Sequence, residues 1–197
     1  MNEVQFDPAT HTYRWRGRIY PSVTQVMSRA GLYDAYKSIP AHILENARRI
    51  GNEVHAQIHI YHLLQAPFEP SSAPVEGCLH AYERFLSDSQ YELIDTEISG
   101  VYPLYGYAGT LDSIGYLNGE RVLLDIKATA QIYTEAVEIQ TAAYAPIWDH
   151  GILSIPKWNI ERGAIAKRFV LHLKRNARYS LIECVDPLAF SKFLSYM

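Results

Sequence analysis

The sequence has only two cysteines, Cys78 and Cys184, in 197 residues. They are far apart and in no metal-ligand spacing, which excludes a cysteine metal site and leads us to expect two reduced thiols in a cytosolic protein. Long apolar runs are missing as well. None reaches the roughly 18 residues that span a bilayer, and no charged-then-apolar segment opens the chain, so no membrane association or export signal is expected. Internal repeats and low-complexity segments are absent. Positive charge is scarce from Glu69 to Glu97, where Arg84 stands alone against seven acidic residues.

What is present is the composition of a globular protein, 48% hydrophobic and 20% charged. The length suits one domain with a sizeable core, spanning 1–197. Within it, 1–39 reads as an N-terminal hairpin and short helix, and 40–197 as the core. The 15 tyrosines are numerous for this length; many should be core and some should line a groove. Seven basic residues lie between Lys157 and Arg178 against Glu161 alone. Near the start, Arg14, Arg16 and Arg18 alternate with Tyr13, Trp15 and Gly17, which predicts three guanidinium groups on one strand face. With Lys174, Arg175 and Arg178 around the last turn, they are candidates for gripping a polyanion. Solvated surface charge accounts for them equally well.

The order of elements follows from periodicity. Ser22 is a candidate N-cap for a short helix over 23–29, ending at Gly31. Apolar positions at helical spacing predict a long helix from Pro40 to Leu64 and a second over 75–87. Three strands follow, over 91–99, 107–117 and 120–127, with Asn118-Gly119 as a two-residue hairpin turn between the last two. Thr134 is expected to cap a helix through Trp148, with Gly151 and Pro156 ending it. Strands over 167–173 and 179–184 and a short helix after Asp186-Pro187 complete an α/β sheet flanked by helices.

The hairpin GYAGTLDSIGYLNGERVLLDIK, from Gly106 to Lys127, carries the chemistry. Asp112 lies on its first strand, and Asp125 and Lys127 form D-x-K on its second, pointing one way while Leu124 and Ile126 point into the core. Two carboxylates and an amine beside a sheet fit Mg²⁺ and phosphate chemistry. D-x-K alone is more often a surface Lys–Asp pair. On the first long helix, Gly51 and His55 are four apart and share a face, where His55 can offer a nitrogen ligand. Glu97 is a further carboxylate, expected beside a metal-bound water or outside the ligand set. Gln140 and Tyr144, also four apart, suit hydrogen bonding to a phosphate or to Lys127.

Taken in order, G-x-x-V-H (Gly51 to His55), Glu97, G-T-L-D (Gly109 to Asp112), D-I-K (Asp125 to Lys127) and Q-x-x-x-Y (Gln140 to Tyr144) resemble the PD-(D/E)XK nuclease superfamily. The likeness is to its RecB-like and phage-type exonuclease branch, and P-S-V-T (Pro21 to Thr24) resembles a lead-in that many members carry. Leu111 replaces the proline of the first motif, and the second acid is Asp125. The resemblance implies a restriction-endonuclease-like αβββαβ core around a central mixed sheet. It implies Mg²⁺-dependent cleavage of DNA, with Mn²⁺ able to substitute. His55, Asp112, Asp125 and the Ile126 carbonyl would hold metal, Lys127 would orient or activate water and stabilise the transition state, and Gln140 and Tyr144 would position site and DNA.

Members with an iron–sulfur cluster use four cysteines, so no cluster is expected here. There is no G-x-x-x-x-G-K-[ST], so a helicase or recombination partner would be a separate chain. The expected activity is an exonuclease in recombination, end processing or repair, in the cytoplasm of a bacterium or a phage-infected host. A structure-specific or restriction endonuclease and a non-catalytic DNA-binding scaffold are the alternatives. RNA as substrate and a ring-forming homo-oligomer stay open.

Overall fold

The computed structural model describes residues 3–154 and 163–197. The chain opens with three short antiparallel strands, β1 (Gln5–Asp7), β2 (Thr12–Trp15) and β3 (Arg18–Tyr20). It continues through α1 (Val23–Arg29), a 3-10 helix (Asp34–Ser38), α2 (Ala41–Leu64) and α3 (Ala73–Ser89). Next come β4 (Glu92–Tyr102), β5 (Tyr107–Leu117), β6 (Glu120–Lys127) and α4 (Thr134–His150). The last elements are β7 (Ile152–Leu153), β8 (Lys167–Lys174), β9 (Arg178–Glu183) and α5 (Ala189–Ser195).

The central sheet has six strands in the order β7-β4-β5-β6-β8-β9. Only β6 and β8 run parallel, because α4 carries the chain between them; the other pairs are antiparallel, so the sheet is mixed. It is covered on both faces. Val54, Ile58, Leu79 and Tyr82 of α2 and α3 pack on Leu124 and Ile126 from one side. Met27, Ile139, Ile147 and Phe193 of α1, α4 and α5 pack on Leu111, Ile114 and Leu123 from the other. The fold is α/β with a central mixed sheet flanked by helices.

Local signals explain several boundaries. Ser22 caps α1 in a full capping box, accepting from the Gln25 N–H while the Gln25 side chain accepts from the Ser22 N–H. Asn118 and Gly119 both have positive φ, as a tight hairpin turn requires. Helix α4 starts at the expected cap residue itself: Tyr133 holds the cap position with no side-chain hydrogen bond, and Thr134 is already helical. Pro156, Lys157 and Arg162 lie outside the described residues.

The N-terminal segment differs from the expected hairpin. The chain turns again at Arg16-Gly17, giving a third strand, so Arg14, Arg16 and Arg18 do not share a face. Arg14 is opposite Ile19 and Arg18 opposite Trp15, and directly paired residues share a face, so these two arginines point apart. Arg16 is in the turn, with φ of 49°. Each is engaged locally. Arg14 Nη1 donates to the Gly17 carbonyl at 3.3 Å. Arg16 lies 4.6 Å from the Trp15 ring centre and Arg18 5.2 Å from that of Tyr20. The segment shares its core with the central sheet, Tyr13 and Tyr20 packing with Val101 and Ala108.

Candidate metal centre

The site forms where strand alternation breaks. Thr96 and Ile98 are two residues apart and would share a face in a regular strand. Instead, Thr96 Oγ1 shares a 2.6 Å hydrogen bond with His59 Nδ1 of α2, while Ile98 packs in the α4-side core. Between them Glu97 adopts φ of 51°, left-handed backbone that costs a non-glycine residue about 1 kcal/mol or more. The paired strand switches in step: Ser113 bonds Tyr91 of the α2-side core, whereas Leu111 joins the α4 side. Thr96 pairs with Ser113 and Ile98 with Leu111, so by register Glu97 is opposite Asp112.

This break brings three ligand-bearing side chains together. Atoms of His55, Glu97 and Asp112 lie within 4.8 Å of one another, the one such group among the described residues. His55 reaches down from α2, with Nδ1 3.1 Å from Glu97 Oε1 and 3.7 Å from Asp112 Oδ1. Its Nε2 is 3.0 Å from the Ile126 carbonyl. Asp112 is locked from its other side. The β5–β6 ladder ends at Ser113–Leu124, and Asp112 Oδ2 accepts the Ile126 N–H at 2.7 Å. A backbone donor that would otherwise lack a partner therefore orients the carboxylate.

The titrating groups of the site shift one another. Burial raises the Asp112 pKa; His55 opposes this and Asp125 adds to it, leaving it at about 7. For His55 burial acts downward, but Asp112 and the Glu97 hydrogen bond outweigh it and push the value up to about 9. The imidazole is therefore protonated at neutral pH, with both nitrogens donating, to Glu97 and to the Ile126 carbonyl. Once His55 gives up its proton, the two carboxylates and the imidazole could hold a metal ion between them.

Asp125 and Lys127 stand beside this group. Asp125 is not one of the three; its side chain is fully buried and turned to Lys127, whose Nζ is 2.7 Å from Oδ2. By distance this is an ion pair, although neither Asp125 oxygen has a partner with hydrogen-bond geometry. Burial would lower the Lys127 pKa, but Asp125 and Asp112 hold it well above the ordinary value. Such an amine is a fixed cation and not a proton acceptor. The sequence reading put Asp125 in the ligand set and Glu97 outside it; the geometry groups Glu97 with His55 and Asp112 instead.

Helix α4 supplies the next layer. Gln140 Nε2 donates to Tyr144 Oη at 3.1 Å, with both residues buried. Burial, then Asp112 and Asp125, raise the Tyr144 pKa strongly, so the phenol keeps its proton and can donate it. Gly109 makes room for this ring: a Cβ there would lie 2.6 Å from Tyr144 Cε1.

A cleft of about 860 Å³ opens onto the site, lined by Gly51, His55, Glu97 and Lys127 and walled by Tyr33 and Tyr36. The sequence reading did not single out these tyrosines; an aromatic pair just ahead of the long helix was the available signal. It also passed over His172, whose Nε2 is 2.7 Å from the Thr129 carbonyl and which pairs with Lys127 across β6 and β8, anchoring the loop after D-I-K. Lys174 is two residues beyond His172 and pairs with Arg178, with Arg175 exposed in the turn between. Arg18 instead lies near Gly106, six residues along β5 from Asp112, roughly 20 Å of strand. Cys78 and Cys184 are buried free thiols. No helix among the described residues is long and apolar enough to cross a membrane. No protein-family model matches the chain, and no curated protein does.

Proposed function

We propose that the protein is a metal-dependent deoxyribonuclease with a PD-(D/E)XK-type, restriction-endonuclease-like core, acting as an exonuclease on DNA ends in recombination or repair. The observation that carries this reading is the grouping of His55, Glu97 and Asp112 beside a Lys127 held by Asp125. These groups come from α2, β4, β5 and β6, so packing alone would not be expected to gather them.

His55, Glu97, Asp112 and the Ile126 carbonyl would hold Mg²⁺ or Mn²⁺. When bound, the ion would neutralise phosphate charge and make water more acidic. Lys127 places a permanent positive charge where negative charge develops on the phosphate, and Asp125 keeps the amine in position. The Ile126 N–H fixes the orientation of Asp112. Tyr144, steadied by Gln140, offers a proton donor on the α4 side. Basic residues at the β8–β9 turn, Lys174, Arg175 and Arg178, are suited to holding the DNA backbone.

The test is to incubate the protein with linear and with covalently closed circular DNA, in Mg²⁺ or in EDTA. Magnesium-dependent loss of linear DNA alone is expected. Nicking or linearising of the circle would favour the endonuclease, and no change in either substrate would favour a DNA-binding scaffold.

A further inference from the structure

One wall of the cleft is left unexplained by the metal ligands and Lys127. Tyr33 and Tyr36 line it, and Tyr133 continues the row from the start of α4. The Tyr33 and Tyr36 rings are 6.1 Å apart at 29°, and Tyr133 meets Tyr36 edge-on at 5.0 Å. Most tyrosines of this chain that pack in its cores are buried, whereas these three stay half-buried. Tyr33 is tied down, its hydroxyl donating to Met27 Sδ at 3.6 Å. Tyr33 and Tyr133 both rest on the α4-side core. Tyr36 belongs to the 3-10 helix, which has no buried residue, so its ring is supported by its two neighbours and faces the cleft. Lys127 lines the same cleft as Tyr33 and Tyr36. From α2, Arg48 and Asn52 also line the cleft.

We propose that Tyr36, backed by Tyr33 and Tyr133, is a stacking platform for an unpaired nucleobase, so that the cleft takes the single-stranded end of a DNA. This rests on the nuclease reading and specifies its substrate. A base inside a duplex shows a protein only its groove edges, so away from the terminal pair a ring face can meet only a base that has left the stack. Every base has a π-face, so such a platform tolerates any sequence. The cleft volume is in the range that encloses a small organic molecule, the scale of a nucleotide and not of a duplex. With a base on Tyr36, the adjoining phosphate would lie toward Lys127 and the metal ligands, and Arg48 would be a further cation in the same cleft.

The experiment measures DNA binding in EDTA, where cleavage does not intervene, using a single strand with terminal 2-aminopurine, a duplex with a single-stranded overhang and a blunt duplex. The unaltered chain should bind the single strand and the overhang more tightly than the blunt duplex, and should quench the terminal 2-aminopurine. Tyr36→Leu should weaken single-strand binding by roughly 5- to 150-fold, the range set by stacking one base, and should abolish the quench. Tyr36→Phe should keep both, because the ring and not the hydroxyl does the stacking. Equal single-strand binding by Tyr36→Leu and the unaltered chain would overturn the proposal, as would loss of the quench in Tyr36→Phe. Magnesium-dependent cleavage without ring dependence would sink the platform alone. Ring-dependent binding without cleavage in Mg²⁺ would sink the nuclease reading and keep the platform.

Discussion

Glu97 faces Asp112 across β4 and β5, and Glu97 is the only residue within a strand, among the described residues, whose non-glycine backbone has positive φ. Strain and two neighbouring carboxylates coincide at one point. Glycine adopts this backbone freely and alanine does not, and both variants lose the carboxylate that His55 contacts. The Glu97→Gly chain is therefore expected to melt a few degrees above the Glu97→Ala chain in the absence of metal, about 2–4 °C per kcal/mol for a chain of this size. Added Mn²⁺ should shift both midpoints much less than it shifts that of the unaltered chain. Melting curves with and without Mn²⁺ check both; a Glu97→Ala midpoint at or above that of Glu97→Gly would show that the Glu97 backbone is not a source of strain.

Asp112 is held by the Ile126 N–H and lies beside His55. Asp112→Asn removes its charge and keeps its shape. Cleavage is expected to fall at least roughly 100-fold, about 2.7 kcal/mol of barrier, and metal affinity to fall with it. Near-normal cleavage in Mg²⁺ would reject the assignment.

Lys127→Ala should do more than stop turnover. It leaves the fully buried Asp125 side chain without its cation, a loss of about 3–5 kcal/mol when one partner of a buried pair is removed. The double variant Asp125→Asn, Lys127→Met should recover most of that stability and none of the activity. Denaturant melts beside a cleavage assay separate these effects, and cleavage by the double variant would show that the amine is structural only.

The pH dependence follows from two raised values. His55 is pushed from 6.5 to about 9 and Asp112 from 3.8 to about 7. Folding therefore favours the protonated forms. The His55 contribution is full below about 6.5 and is lost as pH rises through about 9; that of Asp112 is full below about 3.8 and is lost through about 7. Metal-free stability should fall between pH 5 and pH 9. Metal binding needs deprotonated ligands, so Mn²⁺ affinity should rise over the same range, with proton release. Urea melts and calorimetric titrations at pH 5, 7 and 9 measure this, and a metal-free stability that climbs with pH would contradict it.

Lys174 and Arg178, paired across the last turn, are expected to bind DNA phosphates without reading sequence. Neutralising both should weaken binding equally across sequences and flatten the salt dependence by about one unit per lost contact. The rate at saturating DNA should hardly change. Neutralising Arg14 and Arg18 should have a smaller effect, because they point to opposite faces. Binding isotherms at several salt concentrations decide between the two groups.

Local chemistry made much of the molecule legible. The Ser22 capping box, the Asn118-Gly119 turn and the apolar spacing of α2 each depend on neighbours a few residues away, and each lies where the sequence indicates. The motif residues His55, Asp112, Asp125, Lys127, Gln140 and Tyr144 could be named for the same reason, as functional groups at fixed spacing along their own elements. The second turn at Arg16-Gly17 was missed because alternation continues through it in sequence while the backbone reverses. Which carboxylate stands with His55 and Asp112 could not be read from spacing, because Glu97 reaches them through a left-handed residue inside β4, and strand periodicity assumes regular backbone. The tyrosine wall of the cleft likewise depends on the 3-10 helix meeting the start of α4, a contact between segments about a hundred residues apart. The sequence by itself determined most of the elements and the functional groups they carry. Packing between distant elements decided which of those groups meet, because that depends on backbone breaks and burial that no local pattern encodes.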